Sequence, residues 1–294
     1  MLNVSPRQLQ VFVQVVARGS LRAAAEQLHM TQPAASMALA GMEQTLGTAV
    51  FDRERGRLRL NARGRELLPL AQELLERHAE FGRRATGPGG ALHGELRIGT
   101  SNTVGNYRVG ELLGGFVRAQ PQVAIRLRVG NTAAMLQAVL AHALDVACVE
   151  GPVLHADLEA RAWRDDRLAV CVAPAHRLAR RPRLRAADFE GEAWVLREPG
   201  SATRDLGEQM LARLPPPRSV LELSQTEAIK QAVVAGLGIA CLPVVAVDDA
   251  VAAGRLAVLD TPFLRPWLSR RLSLAVHARR YRGEVLDAFL RSLH

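Results

Sequence analysis

Lysine occurs once in these 294 residues, at Lys230, so all but one of the 38 basic side chains are arginine. A phosphate-binding loop of the G-x-x-x-x-G-K-[ST] type is thereby excluded, because the lone lysine has no such glycine frame. No apolar run reaches eighteen residues, too little for a helical membrane span. The opening "MLNVSPRQLQVF" has neither the basic n-region nor the unbroken apolar h-region of a signal peptide, and the expected location is the cytoplasm. Cys148, Cys171 and Cys241 are too few and too far apart for a disulfide framework or a zinc site, and each sits in an apolar run as a buried thiol would. The eight histidines are scattered, so neither a metal nor another cofactor is expected. "EPGSATR" lacks the G-x-S-x-G elbow that a nucleophilic Ser201 would need, which counts against a serine hydrolase and against catalysis in general.

What is abundant is positive charge. The formal net charge is +9 and the pI near 10.8, and six arginines lie between Arg53 and Arg65 against the single acid Glu54. Guanidinium groups suit forked contacts to phosphate, which points to a polyanionic partner.

The first sixty residues read as three short helices and a hairpin. Leu9, Phe12, Val13, Val16 and Ala17 recur at helical spacing and Gly19 ends that helix; Ser20 caps "LRAAAEQL". Thr31 caps a third helix with Pro33 in its first turn, which ends at Gly47. Two short helices with a tight connection make a helix-turn-helix. "VFDRERGRLRLN" follows as a two-stranded wing, with Leu58 and Leu60 alternating with Arg57 and Arg59. From Asn61 a long helix carries the narrow seam Leu67, Ala71, Leu74, His78 and Phe81, which two copies of the chain could share, and Pro69 should bend it.

Beyond a turn-rich linker at 86–94, strands and helices alternate: "ELRIGT", a helix over 107–119, "VAIRLRVG", a helix over 132–142, "DVACVEG", and onward to "GIACLP". This predicts parallel sheets covered on both faces, arranged as two α/β lobes with the chain passing between them and back. The expected division is 1–60 for the winged helix-turn-helix, 61–90 for the linker helix and hinge, and 91–294 for the two-lobed α/β part. Within the last, lobe I takes about 91–163 and 267–294, and lobe II about 164–266.

Three strand-to-helix junctions offer hydroxyls beside free backbone N–H groups: Thr100, Ser101, Asn102 and Thr103; Asn131 and Thr132; and Ser201, Ala202 and Thr203. Strand ends in such sheets face a crevice, and several helix N-termini converging there would favour a small anion. Glu150 stands at another strand end, where it could meet a protonated oxyanion or pair with Arg204, and Glu227 and Lys230 open a further helix, Lys230 reading as an exposed charge. A cytoplasmic solute-binding module without a DNA role is the alternative that the 1–60 segment opposes.

Residues 7–66 resemble the winged helix-turn-helix of LysR-type transcriptional regulators, in G-S…A-A…L-x-x-[ST]-Q-P-A-x-S followed by a glutamate, L-G, V-F-x-R and L-N-x-x-G. "LRIGTSNTVGNY", "VGNT", "LDVACVEGP", "REPGSATR" and "TEAIKQAVVAGLGIACLP" resemble the effector domain of that family's CysL-like branch. The resemblance implies a dimer or tetramer joined by linker helices, DNA read as paired half-sites, and a periplasmic-binding-protein-like effector domain, with RNA polymerase as a further partner. It places Ser20, Arg22, Thr31, Gln32, Pro33, Ser36, Met37, Arg53, Arg55 and Arg57 on DNA. It places Thr100, Ser101, Asn102, Asn131, Thr132, Glu150, Ser201, Ala202, Thr203, Arg204 and Glu227 around a small anion, with sulfite the first to test. Met37 stands where the family often has arginine, and Ala202 where this branch often has glycine.

Overall fold

The computed structural model describes residues 3–54, 57–85 and 92–293. Arg55 and most of the turn-rich linker lie outside these.

Helices α1 (Pro6–Arg18), α2 (Leu21–Gln27) and α3 (Gln32–Leu46) precede a hairpin, β1 (Phe51–Glu54) and β2 (Arg57–Leu60), paired antiparallel with Phe51 opposite Leu60. Ser5 and Gln8 form a capping box on α1, and the helix stops at Gly19, whose φ of 71° is the left-handed turn that glycine adopts most readily. Val11, Phe12, Val15, Ala24, Ala25, Ala35, Leu39, Met42, Val50 and Phe51 form one core. The long helix α4 (Ala62–Ala85) adds Leu68 and Ala71 to it and runs unbroken through Pro69. The expected seam is thus divided: Ala71 is buried against the N-terminal core, while Leu74 and Phe81 are exposed.

Gly64 sits where α4 leaves the hairpin. A Cβ there would lie 2.2 Å from the Val50 carbonyl oxygen and 2.4 Å from Leu60 Cδ1. Gly64→Ala is therefore expected to cost about 1–3 kcal/mol of N-terminal stability, read as earlier loss of the helical circular-dichroism signal on heating. An unchanged melt would contradict this close approach.

The rest of the chain folds as β3 (Gly94–Ser101), α5 (Asn102–Tyr107), α6 (Val109–Ala119), β4 (Val123–Gly130), α7 (Thr132–Leu140), β5 (Val146–Glu150) and the long β6 (Leu158–Val172). There follow β7 (Ala193–Leu196), α8 (Ala202–Leu211), β8 (Ser219–Glu222), α9 (Thr226–Val234), β9 (Ala240–Pro243), α10 (Val244–Ala252), β10 (Ala257–Val258), β11 (Ser269–His277) and α11 (Glu284–Arg291). Strands β4, β3 and β5 are parallel neighbours, and β11 joins β5 and β6 antiparallel. Residues 158–167 of β6 pair with β11, whereas its last residues pair antiparallel with β9 and β10. One strand thus belongs to both lobes.

Two sequence expectations are corrected here. The sheets are not purely parallel: β11 lies antiparallel to β5 and β6, and β6 lies antiparallel to β9 and β10. The helix expected over 107–119 is α6, and it is preceded by a short helix that was not expected, α5, set off where Arg108 leaves helical geometry at φ −126°. The helical stretch accordingly begins at Asn102, directly after the first crevice-facing junction.

Candidate effector cleft and DNA-facing surface

Serines at 101 and 201 occupy the N-cap positions of α5 and α8 with extended backbones, yet neither side chain caps its helix. Asn131 behaves in the ordinary way, its Oδ1 accepting from the Ala134 N–H at 2.9 Å. The Ser101 and Ser201 hydroxyls are buried, and so are Thr100 Oγ1 and Asn102 Oδ1; none of the four has a hydrogen-bond partner among the described residues. A buried polar group without a partner costs about 1–3 kcal/mol, so these three hydroxyls and one amide oxygen call for an explanation. Thr100 Oγ1 lies against α5, where a Cβ on Gly105 would meet it at 2.7 Å.

Beneath these helix starts lies an ion cluster that the sequence reading missed. Arg270 of β11 donates from Nε to Asp166 Oδ2 at 2.8 Å, from Nη1 to Thr203 Oγ1 at 2.8 Å and Glu150 Oε2 at 3.3 Å, and from Nη2 to Thr103 Oγ1 at 3.0 Å. Thr103 belongs to α5 and Thr203 to α8, so one guanidinium joins the two helix starts across the lobes. Glu150 also accepts from the Thr103 N–H at 2.8 Å. Burial pushes its carboxyl up, but the Arg270 charge and the Thr103 hydrogen bonds outweigh burial and hold it below the ordinary glutamate value. Thr132 Oγ1 donates to the Glu150 carbonyl at 3.3 Å.

Arg204 is not part of this cluster and does not pair with Glu150, one of the two roles expected of it. It donates to the Arg197 carbonyl at 2.7 Å and to Glu208 and Glu222, because its place in α8 carries it toward its own helix and β8. Ala202 instead packs on lobe I, where a Cβ on Gly151 would approach its Cβ to 3.0 Å.

Further contacts close the crevice. The Ala133 N–H donates to the Gly200 carbonyl at 3.0 Å, and Asn131 Nδ2 donates to Glu198 Oε1 at 3.2 Å. Glu198 is gripped by both arms of the buried Arg197, which also donates to Thr226 Oγ1 at 3.3 Å. At the exposed rim Tyr107 donates to Glu227, which also accepts from Lys230 at 2.8 Å. Lys230 is not the exposed charge expected: it also reaches the Ala246 carbonyl and is mostly buried.

On the N-terminal side, Thr31 Oγ1 accepts from the Ala34 N–H and Ser20 Oγ from the Ala23 N–H, so both hydroxyls serve as caps. Gln32, Pro33, Met37, Arg22 and Arg53 are exposed and Ser36 is half-buried; Arg22 pairs with Glu26 at 3.1 Å. Arg55 and the side chain of Arg57 fall outside what is described. The cysteines are buried, and burial pushes the Cys171 and Cys241 thiols up to about 12, so both remain protonated.

Residues 6–65 match the family described as bacterial regulatory helix-turn-helix protein, lysR family, and residues 89–294 match the LysR substrate binding domain. The chain is 36% identical over 290 residues to the uncharacterized HTH-type transcriptional regulator YeiE of Escherichia coli K12, covering 98% of this chain and 97% of that one. It is 35% identical over 280 residues to the regulator CfxR of Cupriavidus necator, covering 92% and 87%. Among solved structures, a full-length OxyR variant from Pseudomonas aeruginosa superposes with a TM-score of 0.79 over 99% of this chain and 95% of that one, at 23% identity, a likeness of fold. The regulatory domain of Synechocystis CcmR, in complex with 2-PG, gives 0.62 at 29% identity over 68% and 96%. These relatives are regulators rather than enzymes, and Ser201 has no hydrogen-bonded base among the described residues that would make it a nucleophile. A winged helix-turn-helix followed by a two-lobed effector-binding domain, matched along nearly its whole length, makes this chain a member of the LysR family of DNA-binding transcriptional regulators.

Proposed function

We propose that this regulator senses a small anion, with a sulfur oxyanion such as sulfite favoured, held between the Ser101 and Ser201 hydroxyls in the crevice between its lobes. The observation that carries this reading is the pair of buried N-cap serines whose hydroxyls have no partner, one on each side of the crevice. Two hydroxyl donors and the adjoining helix N-termini suit an oxyanion small enough to be enclosed. The preference for sulfite comes from the likeness to the CysL-like branch. Residues 1–60 would bind DNA, 61–90 would join the copies, and 91–294 would bind the effector, all in the cytoplasm.

The ligand would act by favouring whichever lobe arrangement it contacts better, shifting the population of two states. A route to the DNA-binding end exists: Arg280 near the start of α11 holds both Asp145 of lobe I and Glu76 of α4, each at 2.7 Å. Exposed Leu70, Leu74 and Phe81 on α4 give a second copy an apolar strip to cover, which fits a dimer or a tetramer that would present paired half-site readers and meet RNA polymerase.

Thermal unfolding of the full chain against sulfite, sulfate, thiosulfate, phosphate and small carboxylates tests the effector reading. A bound anion raises stability by mass action, and a flat profile across all of them refutes it. For the DNA end, Arg53→Ala with Arg57→Ala should weaken binding and reduce the slope of log affinity against log salt by roughly 2, about 0.9 for each lost phosphate contact. An unchanged slope in gel shifts over a salt series would remove the wing from the interface.

A further inference from the structure

Helix α3 contains no basic side chain and one acidic one, Glu43, whose carboxylate is used internally to accept from the Val50 N–H at 2.8 Å. Guanine is most often read in the major groove by a forked arginine or a lysine, and α3 has neither. Its exposed residues are Gln32, Pro33, Ala34, Met37, Ala40, Gln44 and Thr45, so the ridge Ala34, Met37 and Ala40, at steps of three, is apolar throughout.

Met37 is 76% exposed at the centre of this ridge, with alanines on both sides that leave its thioether uncovered. A large apolar side chain held in water on a short ridge is an unfavourable placement unless a partner covers it. The charge of the domain points to the partner: Arg53 on β1 and Arg22 on α2, the latter paired with Glu26, are both exposed, and six arginines lie between Arg53 and Arg65, which would repel a second copy of this domain while attracting a polyanion.

We propose that Met37 is a specificity-determining residue that packs against the C5 methyl of a thymine in the major groove, with Ala34 and Ala40 letting the helix backbone approach. Thymine is the one base of DNA that presents a methyl there, and apolar contact is how that methyl is read. The chain thereby exchanges guanine readout for thymine readout at this position. This assignment rests on α3 being the helix that enters the groove.

The test starts from duplexes enriched by the full-length protein from a random pool. Each thymine in the selected duplex is then replaced singly by deoxyuridine, which removes the methyl and nothing else, and affinity is measured by fluorescence anisotropy at fixed salt. The parent protein should lose roughly threefold to tenfold in affinity at one or two thymines per half-site. Met37→Ala should lose a similar factor on the natural duplex and become indifferent to uracil at those same positions. Because Met37 is exposed, its melting curve should be unchanged, which separates readout from folding. Met37→Arg should shift selection at that position from thymine to guanine.

Identical uracil penalties in the parent and in Met37→Ala overturn the proposal. Gln32→Ala separates its failure from that of the underlying assignment. If Gln32→Ala alters base preference and Met37→Ala does not, α3 still reads DNA and Met37 is not a reader. If neither alters it, α3 is not the reading helix and both ideas fall.

Discussion

Arg270→Ala is expected to lower the unfolding free energy by about 3–5 kcal/mol, a fall in melting temperature on the order of 10 °C. The substitution leaves Glu150 and Asp166 buried beside one another with their shared cation gone, and strips Thr103 and Thr203 of their common donor. The pH dependence gives the result a signature that simple cavity formation lacks. In the parent protein the Glu150 carboxyl is held below the ordinary value of 4.5, so its contribution is full above that pH and is lost as pH falls through the folded value. In Arg270→Ala burial remains without the compensating charge, and the same carboxyl is pushed above 4.5. The variant's penalty is then greatest near neutral pH and shrinks as Glu150 takes up a proton. Melting curves of the two proteins should draw together between pH 7.5 and 5, and a gap that stays constant or widens over that range would rule out the ion cluster as its cause. Arg270→Lys retains the charge without the planar fork that reaches four partners, and an intermediate loss is expected.

Much of this architecture is written in local pattern. Ser20, Thr31, Gly19 and Gly47 mark the helix ends because caps and left-handed turns depend on residues one to three positions away. The crevice hydroxyls were legible for the same reason, being strand-to-helix junctions. Contacts made between distant segments were not legible: Arg270 meets Glu150, Asp166, Thr103 and Thr203 across separations of 67 to 167 positions. A faint signal was present, since in "SRRLSLAVH" Arg270 shares the inward parity of Leu272 and Leu274, an odd place for a charge without a buried partner. That Arg204 would not pair with Glu150 was hidden for the same reason, because its partners Glu222 and the Arg197 carbonyl are brought to it only by the packing of α8 on β7 and β8. The first part of β6, which makes it a strand of both lobes, was hidden because the half-exposed "LEARAWRDDR" lacks the apolar run by which "RLAVCVAP" and "LSLAVHA" read as strands.

Removing the Ser101 and Ser201 hydroxyls should have opposite effects on the empty and the liganded protein. In the unliganded chain each is a buried polar group with no partner, so Ser101→Ala and Ser201→Ala should each raise stability by about 1 kcal/mol through relief of that desolvation cost. Saturating sulfite at a hundred times its dissociation constant would add about 2.7 kcal/mol to a protein that binds it, and should add almost nothing to the double variant. The order of melting temperatures therefore reverses: the double variant melts later alone, the parent later with the anion. Thr100→Val serves as the discriminating control. Its hydroxyl is equally unpartnered but abuts Gly105 of α5, so the variant should gain stability and keep the anion response. If Thr100→Val and the double serine variant respond alike to sulfite, the unpartnered hydroxyls are a feature of how α5 and α8 pack and not the ligand's donors. If only the serine variant loses the response, the stability forgone at those two N-caps is what the regulator gives up, in its empty state, to have donors waiting for an anion.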